Sequence, residues 1–150
     1  MKDLKKAREI IEKAGFSFVG DLDAATLQPL DEVRDMCRTG NCGKYGKNWA
    51  CPPGCGSLEE CRQRLKEYAG GFLVQTVGEL EDSMDWEGIR DTEARHKKMF
   101  LETAALLSGE YAGFLPLGSG TCTLCAACTY PDAPCRLFKH CILVNVAVEA

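Results

Sequence analysis

Ten cysteines fall within 150 residues, and their spacing is the first chemical signal in the chain. Cys122, Cys125, Cys128 and Cys135 form a C-x2-C-x2-C-x6-C run inside the stretch 118–136. Three thiolates at two-residue gaps can wrap one face of a 4Fe-4S cube while a fourth closes it, as bacterial ferredoxins do. In the usual ferredoxin run the last gap is three and the fourth cysteine serves a neighbouring cluster. The wider gap here carries Pro131 and Pro134, and would let Cys135 fold back onto the same cluster. The plainer alternative is four buried or disulfide-bonded cysteines.

A second group lies upstream. Cys37, Cys42, Cys51 and Cys55 are candidate metal ligands in a stretch so rich in glycine and proline that it must be a loop. Cys61 reads differently. Ser57 followed by Glu60 makes a capping box, and the helix it starts would place Leu58, Cys61, Leu65 and Tyr68 on one face. Cys61 is therefore read as a buried small hydrophobe, and Cys55 as the open candidate for a fourth ligand beside Cys37, Cys42 and Cys51. Cys141 lies outside both tight groups and reads as packing. Tyr45 and Lys47 lie inside the first loop, where a proton donor and an anion contact are possible. The favoured reading is that Tyr45 packs and Lys47 is solvated.

The elements that must hold these loops follow from periodicity. Apolar residues at helical spacing predict a helix over Lys2–Ala14, a short one over Asp31–Met36, the capped helix after Ser57, and a long one from Trp86 to Leu107 ending at Gly109. The long helix would turn Trp86, Ile89, Met99, Phe100, Thr103, Leu106 and Leu107 mostly to one side, with His96 at the edge of that stripe as a core-edge residue. Strands are predicted at Phe16–Val19, Phe72–Val77, Tyr111–Leu117 and Cys141–Val148. The expected fold is α/β: a small mixed sheet of three to four strands with helices against it, in one domain over 1–150. No internal repeat is present.

Composition narrows the partners. The net charge is -4 and basic residues are scattered among acids, which argues against nucleic acid. The chain has no apolar run of about eighteen residues and no secretory pattern at its start. The expectation is a cytoplasmic protein, not bound to membrane, whose thiols stay reduced and free for metal.

The two motifs together, Cys37 through Cys42-Gly-Lys-Tyr-Gly-Lys-Asn-Trp-Ala-Cys51-Pro-Pro and Gly120-Thr-Cys122-Thr-Leu-Cys125-Ala-Ala-Cys128 through Pro134-Cys135-Arg136, resemble the predicted metal-binding proteins of domain of unknown function 2284. The resemblance runs from about the first helix to Arg136. It implies a cysteine-rich, iron-sulfur metal site in a cytoplasmic protein. Cys37, Cys42 and Cys51 match the first motif, and Cys122, Cys125, Cys128 and Cys135 the second, while Cys55 and Cys61 lie outside the pattern. Family members usually continue past the last cysteine with a longer polar segment, whereas 137–150 is short and apolar, so truncation or divergence is expected there.

Three functions fit. One is an electron carrier with one or two 4Fe-4S clusters and a redox partner protein, in which Thr121, Thr123 and Thr129 could donate hydrogen bonds to cluster sulfurs. Another is a redox enzyme with an open coordination position at Cys37, Cys42 and Cys51. A third is a zinc module, structural or for interaction, although zinc sites of four cysteines typically use two separated C-x2-C knuckles. With two histidines in all, and neither a Walker-type nor a G-x-G-x-x-G loop, other chemistries find little support. Oligomeric state is not set by the sequence.

Overall fold

A computed structural model describes residues 4–136. The chain packs as two compact units, 4–23 with 70–114 and 24–69 with 115–136.

The first unit contains helix α1 (Leu4–Lys13), strand β1 (Phe18–Asp23), strand β2 (Gly70–Gln75) and helix α4 (Trp86–Glu110). α1 forms because Ala7 and Ile11 recur on one face among charged residues, and both are buried there against Leu107 of α4. Burying each large aliphatic side chain contributes about 1.5–3 kcal/mol. Ile10, Phe16, Val19, Phe72, Val74, Tyr111 and Phe114 pack around this centre. The two strands pair antiparallel, with Val19 opposite Val74 and Asp23 opposite Gly70. Arg8 reaches from α1 to Asp21 and lies 5.1 Å from the Phe72 ring centre, so it covers the edge of this core. α4 begins at Asp85, whose carboxylate accepts from the Gly88 amide.

The second unit carries a short 3-10 turn (Ala24–Thr26), α2 (Asp31–Arg38), α3 (Leu58–Leu65) and both cysteine loops. The capping box read at Ser57 is present: Glu60 N donates to Ser57 Oγ at 3.1 Å, and Ser57 N to the Glu60 carboxylate at 2.6 Å. Asp23 and Gly70 are the last ladder pair, and just beyond them Ala24 N donates to Ala69 O. The segment 24–69 therefore leaves and returns at one point.

Several expectations need correction. Among the described residues the sheet has two antiparallel strands, not three to four in a mixed sheet. The stretch 111–117 is not a strand: it pairs with neither β1 nor β2, and Tyr111 and Phe114 are drawn into the core by their side chains. The Cys141–Val148 strand and Cys141 itself lie outside the described residues. Trp86 is exposed, as are Ile89 and Leu106 of the same predicted stripe, and α4 buries Thr103 and Leu107. Among the described residues no helix is long and apolar enough to cross a membrane.

His96 is half-buried, as a core-edge residue should be. Its Nδ1 lies 2.7 Å from Thr76 Oγ1, and its ring meets Phe16 edge-on and stacks with Phe100. Burial lowers its pKa below the ordinary value of 6.5.

Two outcomes follow from this core. Leu107→Ala should cost about 3 kcal/mol in urea unfolding, since it opens a cavity between α1 and α4. As pH falls below the ordinary histidine range, the unfolded chain takes up a proton that folded His96 resists, so this stability contribution is full at higher pH and lost on acidification. The fall in Tm from about pH 7.5 to about pH 5.5 should be smaller in His96→Gln than in wild type.

Candidate metal centre

The first cysteine group begins on a helix and continues in a loop. α2 carries Cys37 in its last turn, and the chain then runs without regular structure to Ser57. The Gly46 amide donates to Pro52 O at 2.8 Å, which closes the loop across Cys51. Cys37 and Cys51 are half-buried, and Cys42 is exposed. Burial pushes the Cys37 thiol up, with the nearby Cys51 and Cys42 sulfurs adding and Arg34 opposing. Cys51 and Cys42 thus stand within electrostatic reach of Cys37. Tyr45 is half-buried near Arg38, while Lys47 is exposed.

The second group folds back on itself. Thr129 Oγ1 donates to Pro134 O at 2.9 Å and Ala133 N to Thr129 O at 3.0 Å, turning the chain between Cys128 and Cys135. Arg136 donates to Ala127 O across the same turn. All four cysteines, Cys122, Cys125, Cys128 and Cys135, line one cavity, whose other wall includes Asn48, Trp49 and Ala50. Among the described residues no three His, Cys, Asp or Glu side chains converge tightly enough to hold a single metal ion.

Asn48, Trp49 and Cys51 join the loops. Asn48 is buried; its Nδ2 donates to Thr121 Oγ1 at 3.1 Å, and its Oδ1 accepts from the Ala50 amide at 2.9 Å. Trp49 donates through Nε1 to Ala133 O at 2.9 Å and meets the Tyr130 ring edge-on at 4.9 Å. Thr121 also accepts from the Cys51 thiol at 3.6 Å. Thr121 is therefore engaged by the first loop, and Thr129 by its own turn. Asn48 escaped the sequence reading. An asparagine in a glycine-rich loop signals a turn, and nothing in its spacing marks a partner 73 residues away.

Cys55 and Cys61 stand apart from both groups. Both are buried, as expected for Cys61, but Cys61 faces Arg34 and the Cys55 carbonyl and is not a plain apolar core residue. Their thiols share a hydrogen bond, which pulls Cys61 down and, with burial, pushes Cys55 up. Arg34 donates to Gly56 O at 2.6 Å and points Nη2 at both sulfurs, 3.6 Å from Cys55 and 3.9 Å from Cys61. Cys55 also feels the charge of Cys51, but its direct partners are Cys61 and Arg34.

The contact between the loops leaves no room at Gly54, where a Cβ would lie 2.6 Å from Asn48 O and 2.9 Å from the Tyr130 ring. Gly54→Ala should therefore cost about 1–3 kcal/mol and lower the metal recovered per chain. Gly109→Ala, whose Cβ meets nothing within 4 Å, is the control and should leave metal content unchanged.

No curated protein and no solved structure matches the chain. A family model described as "Predicted metal-binding protein (DUF2284)" matches residues 20–147. That span takes in both cysteine groups and the residues that join them. The chain belongs to this predicted metal-binding family, domain of unknown function 2284.

Proposed function

We propose that the protein is a cytoplasmic iron-sulfur electron carrier whose 4Fe-4S cluster is held by Cys122, Cys125, Cys128 and Cys135. The observation that carries this reading is the shared cavity of these four thiols, brought about by the turn that returns Cys135 to the other three. Four cysteine thiols are the donor set such a cluster requires, and a bound cluster supplies reversible one-electron transfer. Asn48, Trp49 and Ala50 would screen one side of it from water, and burial and hydrogen bonding of this kind set the potential. Cys128 is exposed, which supports electron exchange with a redox partner protein at that edge.

The first group offers a second site. Cys51 and Cys42 lie within electrostatic reach of Cys37, and Cys55 is engaged by Cys61 and Arg34. Three protein ligands would leave an open coordination position, the arrangement that metal-assisted catalysis uses. This favours, as a second reading, a redox enzyme fed with electrons from the other loop.

Protein purified without oxygen should contain at least about four irons and four acid-labile sulfides per chain. Dithionite reduction should give a paramagnetic signal that Cys125→Ser removes. About eight irons, falling to about four in Cys51→Ala, would extend the assignment to the first group. Zinc with no iron or sulfide would overturn it in favour of a zinc module.

A further inference from the structure

The Cys55, Cys61 and Arg34 cluster is used by neither cysteine loop. Cys55 lies two residues before the cap of α3 and Cys61 in its first turns. Three restraints fold the first over the second. Gly56 turns the chain at φ +96°, a conformation that favours glycine. The Ser57 and Glu60 capping box fixes the helix start. Arg34, from α2, ties down the Gly56 carbonyl. As a result the Cys61 thiol points at the Cys55 carbonyl, 4.0 Å away, and one guanidinium nitrogen of Arg34 lies against both sulfurs. A guanidinium aimed at both sulfurs opposes a metal cation there and favours an anionic thiolate.

We propose that Cys55 and Cys61 are a redox-active dithiol that a small hydroperoxide oxidises to an intramolecular disulfide. The Cys61 thiolate attacks one peroxide oxygen, the O–O bond breaks, and the leaving hydroxide takes a proton to become water. The Cys55 thiol then attacks the sulfenic sulfur of Cys61, forming the S–S bond and releasing the second water. Two thiols and one hydrogen peroxide thus give one disulfide and two waters. Both residues are buried, which excludes bulky disulfide oxidants and leaves a small hydroperoxide as the oxidant class. A dithiol reductant small enough to reach the pair reverses the step by exchange. Oxidation removes the anionic partner of Arg34, which stands one turn before Cys37 on α2, so the state of the pair would be felt at the first cysteine group.

The test uses the full-length protein purified without oxygen, treated with substoichiometric hydrogen peroxide, and alkylated with light reagent before reduction and heavy reagent after it. Cleavage at Lys47 and Arg62 yields one peptide holding Cys51, Cys55 and Cys61. Heavy label on Cys55 and Cys61 with light label on Cys51 is expected, and again in Cys125→Ser, which separates this pair from cysteines freed by loss of a metal centre. Arg34→Gln should slow formation of the link several-fold, and Arg34→Lys should restore most of the rate. Light label on both Cys55 and Cys61, heavy label shared with Cys51, or sulfinic acid at Cys61 would each overturn the assignment.

Discussion

The candidate centre depends on one tertiary contact, the seating of the second cysteine loop on Asn48 and Trp49. Asn48 holds Thr121 and Trp49 holds Ala133 and Tyr130, partners 73 and 84 residues apart for the two hydrogen bonds. Each bond contributes only about 1 kcal/mol. The buried amide of Asn48 would cost more than that if left unpaired, so the contact is specific as well as stabilising. It makes Asn48, Trp49 and Ala50 part of the wall of the cavity that the four cysteines line.

The local chain is arranged to make that contact possible. The two strands pair over six residues, and Ala24 and Ala69 close the base of the segment between them. A loop anchored at both ends loses less freedom when its interior is ordered. Within it, α2 and α3 are short, and neither would persist alone in water. α3 is held by its capping box, and Arg62 donates to Pro29 O. Arg34 joins α2 to the turn before α3.

The cysteines of the second unit divide by electrostatic setting. Burial and the neighbouring Cys51 and Cys42 sulfurs raise the cost of ionising Cys37, a conflict that a bound cation relieves. Cys55 and Cys61 have Arg34 beside them, and a charge already present leaves a metal ion little to add. Spacing alone does not separate these settings, because the positive group that decides between them comes from α2.

What the sequence determined by itself was whatever a few neighbouring residues suffice to fix. The Ser57 and Glu60 cap, the aliphatic stripe of α1, the burial of Cys61 and the return of Cys135 toward its group all rest on interactions within about ten residues. The family was legible from two motifs for the same reason. Only the tertiary structure decided the rest. The 111–117 stretch has the apolar character of a strand, but it joins no ladder, and the side chains of Tyr111 and Phe114 go to the core instead. Trp86 fits the helical period and still lies exposed, because periodicity gives a face and not what covers it. Cys55 reads as a free ligand until Arg34 and Cys61 claim it, and Asn48 reads as an ordinary turn residue until Thr121 reaches it. Hydrogen bonds and charges between distant segments have no local period, so their partners exist only once the chain has folded.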